Sequence, residues 1–173
     1  DIFFTYTSNQ LVDFIENISK LKVKISDLNT LKESELATFG TYKLSVQNAS
    51  SVFVANANVS IEAKAEEIAA YEGERTEKIV AINNLLSEND FLLDADARLT
   101  AAQNAVKVAY LNLLREKSIL DKNLKATKAS KAAAEKARND SVAEATKSIA
   151  AAQKAYDSKV SNIEKRIAQI KVL

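Results

Sequence analysis

The sequence has no cysteine, methionine, histidine, tryptophan or proline, and only two glycines in 173 residues. Each absence removes a class of chemistry. Without Cys or His there is no thiol nucleophile, no imidazole base, no soft-metal site and no disulfide. Two isolated glycines, Gly40 and Gly73, exclude a phosphate loop and a dinucleotide fingerprint. Paired carboxylates remain as catalysts in principle, but they need a desolvated pocket to shift their pKa values. A thin helical chain offers few such pockets. The expectation is a protein that is not an enzyme and takes no small-molecule substrate.

No apolar run reaches 18 residues, so no segment is expected to cross a bilayer as a helix. The chain opens DIFFTYTSNQ, with Asp at residue 1 and no Met anywhere. The expectation is proteolytic release from a larger precursor, and with it a secretory-granule or extracellular location. A cysteine-free chain suits a cytosolic helical protein as well. The apolar DIFFTY lacks the basic flank of a signal peptide. Four Asn-X-Ser sequons, at Asn17, Asn48, Asn58 and Asn139, are possible glycosylation sites, only a small excess over chance.

What is present points to long helices. Hydrophobic residues make up 47%, many of them Ala, with 6% aromatic and 27% charged. Ala buries little area, so the core should be thin. Leu11, Phe14, Ile18, Leu21, Ile25 and Leu28 fall at alternating spacings of three and four, a heptad seam. The frame then meets Lys32 and Glu35, beside Leu31 and Leu36, which suggests a local shift. It resumes with Phe39, Tyr42, Val46, Ala49 and Phe53. Gly40 inside it permits a bend.

The weak helix formers of NASSVFVANANVS place a reversal or distortion in 54–60. Ile61, Ala65, Ile68, Ile79, Ile82 and Leu86 make the next stripe, with a kink or short break expected at Gly73. SENDF at 87–91 marks a boundary, with Ser87 as N-cap and Glu88 and Asp90 in a first turn. Leu92, Leu99, Val106, Leu113 and Leu120 are spaced by seven, with Ala95, Ala102 and Ala109 as companions. They suggest a tight antiparallel hairpin involving 88–135. RNDS at 138–141 suits a turn or a continuous helix, and a last stripe runs from Val142 to Ile170.

The expected fold is therefore all-α: one elongated domain over 1–173, an antiparallel coiled-coil or helical bundle of three to five long helices. The helical segments are expected at about 8–53, 61–86, 88–137 and 141–171.

Charge is segregated. Residues 62–97 hold ten acids against three bases, and residues 115–138 hold eight bases against three acids. Solvated faces explain this, as does complementary pairing within one chain or between neighbours. Lys122, Lys125 and Lys128 are the basic residues expected to matter for assembly. The basic stretch has no interleaved aromatic and no groove-reading motif, so no nucleic-acid partner is expected. Glu88, Asp90 and Asp94 could gather a calcium ion, a hard cation taking oxygen ligands. Their spacing is not that of an EF-hand loop, and helix capping also accounts for them. No other cofactor is implied.

The stretches ELATFGTYKLSVQNA and IEAKAEEIAAYEGERTEKIVAINNLL, within roughly residues 8–120, resemble the ciliate trichocyst and mucocyst matrix proteins. The resemblance is one of texture, carried by Ala-rich heptads. It implies a structural protein of the secretory granule, cut from a precursor and self-assembling with homologous coiled-coil chains into a lattice that expands in the presence of calcium. That family leans acidic and often has Cys in its precursors, and this chain departs on both points. Alternatives are a receptor-binding or stalk coiled coil of a bacterial toxin or surface protein, and an amphipathic lipid-binding bundle. Narrow, Ala-diluted stripes count against the last.

Overall fold

The computed structural model describes residues 2–172, with side chains from residue 8. Side-chain readings on DIFFTYT, and the placement of residues 1 and 173, lie outside the described residues. The chain is all-α, with no strand among the described residues, and it holds two long helices in place of the three to five expected. Helix α1 runs Ile2–Glu88 and helix α2 runs Ala101–Val172, with a short 3-10 turn at Asp90–Leu93 between them. The break anticipated at 54–60 is absent, α1 also continues through Gly40 and Gly73, and of the two readings at 138–141 the chain takes the continuous helix.

The reason is that nothing compels a reversal. There is no Pro, and neither Gly takes a positive φ. A Cβ added at Gly40 or Gly73 would meet nothing within 4 Å, so these glycines serve no close approach. Asn, Ser, Thr and Val in a helix cost at most about 0.7 kcal/mol each. The threonine hydroxyls are satisfied inside the helix by donating to the carbonyl four residues back, as Thr38 does to Ser34 and Thr76 to Glu72.

The boundary at SENDF is real, but its chemistry is not the expected one. Ser87 is in the last turn of α1, its hydroxyl donating to the Asn84 carbonyl. Asn89 closes that helix, with backbone N–H and side-chain amide both donating to Leu85 O. The capping box belongs to Thr100 and Gln103. The Gln103 N–H donates to Thr100 Oγ1, and the Thr100 N–H donates to Gln103 Oε1. Glu88 therefore ends a helix instead of starting one, at the unfavourable end of the dipole.

The chain forms two compact units: unit 1, Asp1–Ser51 with Val142–Leu173, and unit 2, Val52–Ser141. In unit 1, Lys32 meets Glu164, Glu35 meets Lys159 and Phe39 stacks on Tyr156. In unit 2, Asn58 meets Arg138, Glu72 meets Lys128 and Lys78 meets Glu116. Within each unit, a step forward on α1 is matched by a step back on α2, so the two helices pair antiparallel. The partner of the 113–138 stretch is thus α1, and this pairing is the antiparallel hairpin in which 88–135 takes part.

Burial shows which residues form the seam. From Leu21 the shielded positions of α1 follow the heptad through Ile25, Leu28, Lys32, Glu35 and Phe39. Leu31 and Leu36 are exposed, so the stripe does not shift there. Lys32 and Glu35 are tolerated in the seam because each reaches an opposite charge across it. After Val46 the frame slips by one residue. Ser50 and Val54 are shielded where Ala49 and Phe53 were expected. Helix α2 carries an extra step too, in the two successive spacings of four from Ala152 to Tyr156 to Val160, all three shielded members of the expected last stripe. The two lie at neighbouring levels of unit 1: Ser50 shares a groove with Ile149, and Tyr156 stacks on Phe39. In unit 2 the companions of Val106, Leu113 and Leu120 are Tyr110 and Lys117, while Ala102 and Ala109 are exposed.

Candidate assembly surfaces

Three surfaces are candidates for function. The first is the charged seam of unit 2. Arg75 Nε donates to Asp121 Oδ1 at 2.5 Å, and Lys117 Nζ donates to Asp121 Oδ2 at 3.0 Å. The Arg75 hydrogen bond, then that from Lys117, holds the Asp121 carboxyl below its usual value of 3.8. Lys78 reaches Glu116 at 2.9 Å, and that hydrogen bond raises the Lys78 ammonium above 10.5. Arg75 and Lys78 are two of the three bases in the acidic stretch, and Glu116 and Asp121 two of the three acids in the basic one. The minority charges of each stretch thus pair with one another across the seam. The majority charges of the two stretches meet in the pair Glu72–Lys128.

Of the three lysines singled out for assembly, Lys128 lies 3.4 Å from Glu72 in the same chain. Lys122 and Lys125 are exposed and form no ion pair among the described residues. Glu88, Asp90 and Asp94 are not brought together: among the described residues no three acidic groups gather in a way that could hold a metal ion. Asp94 Oδ1 instead accepts the Asp96 N–H. The four sequon asparagines all lie inside helices on exposed positions. Asn58 and Asn139 both accept hydrogen bonds from Arg138.

The second surface is an aromatic notch in unit 1. The Phe39 and Tyr156 rings stack with centroids 5.3 Å apart, and Glu35, Tyr42 and Lys159 complete the wall of a cavity of about 220 Å³. The tyrosines and Phe39 were visible as stripe members; that Phe39 and Tyr156 stack across the seam was not.

The third is the N-terminal arm of α1. The last turn of α2 ends against Ile25 and Leu28, where Ile170 packs on the cluster of Leu28, Ile163 and Ile167. Beyond it the same α1 seam continues uncovered, with Ile18 48%, Leu11 57% and Phe14 65% exposed. Ile15 beside them is 64% exposed. The sequence shows this stripe plainly, but not where its cover ends.

Among the described residues no helix is long and apolar enough to cross a membrane. No protein-family model, curated protein or solved structure matches this chain.

Proposed function

We propose that this chain is a structural protein that works by helix-to-helix assembly, with itself or with similar coiled-coil chains. Its processing from a precursor and its place in a secretory granule or outside the cell belong to the same reading, which the resemblance to trichocyst and mucocyst matrix proteins supports. Catalysis has no part in it.

One observation carries the proposal. The chain exposes 12625 Å². A compact monomer of 18.9 kDa exposes about 8,300 Å². Much of the excess is apolar, with Phe14, Leu44, Phe53 and Val59 among the side chains left in water. No side chain among the described residues is fully buried. Two paired helices shield one stripe each, and further chains would shield the rest.

Sedimentation velocity across a range of concentrations tests this. Oligomers that grow with concentration support it, and a monomer at every concentration and ionic strength overturns it. Lys122→Glu with Lys125→Glu separates the electrostatic part, because neither lysine holds the hairpin together. Weaker assembly with unchanged helix content assigns them to contacts between chains.

A further inference from the structure

We infer that the outward face of α1 in unit 2 takes the outward face of α2 from a second copy of this chain, the two helices running parallel with Glu66 against Lys125 and Glu77 against Lys136. The inference rests on the assembly reading above and names one of its contacts.

The seam of unit 2 sorts the charges. On α1 the bases Lys64, Arg75 and Lys78 all occupy shielded seam positions. On α2 the acids Glu116, Asp121 and Glu135 flank the seam, where each holds a base. The outward faces are left with one sign each. From Val59 to Asn84 the face of α1 opposite the seam carries Glu62, Glu66 and Glu77 and no base. From Asn104 to Asn139 the face of α2 opposite the seam carries Arg115, Lys122, Lys125 and Lys136 and no acid. All seven are exposed. Lys136 pairs with Asp140 on its own helix, an exposed contact that holds it weakly. Each face looks away from the other helix of its own chain, so only another chain can bring the two together.

Spacing sets the direction. The three acids fall at intervals of four and eleven, and Lys122, Lys125 and Lys136 at intervals of three and eleven. Laid parallel, one register sets Glu62 beside Lys122, Glu66 against Lys125 and Glu77 against Lys136. Laid antiparallel, no register sets more than two of the acids directly against a base of that face. The parallel register also places Ala70 opposite Ala129 and Gly73 opposite Ala132, so both faces step by four and three in phase, as in a parallel coiled coil. These four small residues are exposed, and a Cβ at Gly73 would meet nothing within 4 Å in its own chain. They let the axes approach toward the short end of the usual range of about 8–10 Å, within reach of the Glu and Lys side chains on either side. The contact from Glu62 to Glu77 is about 23 Å long. It is a weak joint whose selectivity is charge. Since the acidic and basic faces lie on opposite sides of unit 2, the contact is heterologous, and copies add in a row instead of stopping at a dimer.

Two double variants test it. Glu62→Lys with Glu66→Lys makes the α1 face basic, and Lys122→Glu with Lys125→Glu makes the α2 face acidic. Each alone sets like charges together, and its association midpoint in sedimentation should rise about tenfold or more in concentration. In an equimolar mixture, alternating copies regain opposite charges at every contact, and the midpoint should return close to that of the unmodified chain. Circular dichroism checks that helix content is unchanged. A mixture no better than its components overturns the inference. If each variant associates as the unmodified chain does, the contact lies elsewhere: the inference falls and the assembly reading stands. If the unmodified chain never associates, both fall. The absence of cysteine allows a test of direction. Ala70→Cys is oxidised with Ala129→Cys, and separately Val59→Cys with Ser118→Cys. Both mixtures should give disulfide dimers, and no variant alone should. An antiparallel contact brings at most one of these pairs within bridging distance, so a link in only one mixture, or in neither, overturns the inference.

Discussion

Unit 1 and unit 2 are cut from the same two helices, yet they hold those helices together by different means. In unit 1 the seam is aliphatic at its end, with Leu28, Ile163 and Ile167 forming a buried cluster, and aromatic further along, where Phe39 stacks on Tyr156. Its ion pairs, Lys32 with Glu164 and Glu35 with Lys159, sit among these contacts. In unit 2 the buried residues are Ile61, Ile82 and Leu120, which form no such cluster among the described residues. Between them the seam carries Arg75, Lys78, Lys117 and Asp121. A hydrophobic contact is non-directional and little affected by salt, whereas half-exposed ion pairs are screened and add little energy. The comparison teaches that unit 1 supplies cohesion and unit 2 supplies register.

The largest expected difference comes from truncating one buried residue in each. Ile163→Ala opens the buried cluster of unit 1 and should cost about 3 kcal/mol, against about 2 kcal/mol for Leu120→Ala. Urea unfolding followed by circular dichroism measures both. An equal loss would erase the distinction between the units. Next comes the start of α2, which lies in unit 2 alone. Thr100→Ala removes the capping box and should cost about 1 kcal/mol. Amide exchange should quicken in the first turns from Ala101 while the amides around Ile163 stay protected.

The glycines supply an internal control. Both lie in α1, Gly40 in unit 1 and Gly73 in unit 2, with open space around the missing Cβ. Gly40→Ala and Gly73→Ala should each stabilise by about 0.5–1 kcal/mol, and by similar amounts. A marked inequality in urea midpoints would show that one unit depends on its packing at that glycine.

The smallest effect is electrostatic. Because Asp121 is held below 3.8 in the folded chain, its contribution is in place above that pH and fades as pH falls through the depressed value. Asp121→Asn should lower stability at neutral pH less than Leu120→Ala does, and should flatten that part of the acid limb. The difference from the unmodified chain should shrink toward 1 M salt, where the Debye length is about 3 Å. A variant as salt-sensitive as its parent would remove Asp121 from the account of unit 2.

Much of this was legible in the sequence, and the failures have physical causes. The all-α class followed from composition, and the seam from Leu21 to Leu28 followed from spacing. The break at 54–60 did not occur because a run of mediocre helix formers costs little when an opposite helix supports it and no Pro intervenes. Lys32 and Glu35 looked like an interruption because periodicity counts apolar residues, and a charged pair across the seam is invisible to one helix read alone. The capping box was placed at Ser87 because SENDF offers a cap and acids together. Thr100-Ala-Ala-Gln103 carries the same signature with quieter neighbours. Of the candidate surfaces, the charge segregation was visible, but which helix would answer it was not. The open arm was visible only as one more stretch of stripe.

The paired slips in unit 1 have a consequence for how the molecule can change length. A residue is worth about 100° of rotation on a helix. An extra residue in one helix alone would turn every later seam position away from its partner. Here each helix of unit 1 carries one extra step, α1 after Val46 and α2 before Tyr156, and Leu28 and Ile167 still share a cluster beyond both. The two helices behave like the edges of one zip fastener. A tooth gained on one side is harmless only when the other side gains one within a few teeth of it, so insertions and deletions in this chain are expected to be accepted in matched pairs.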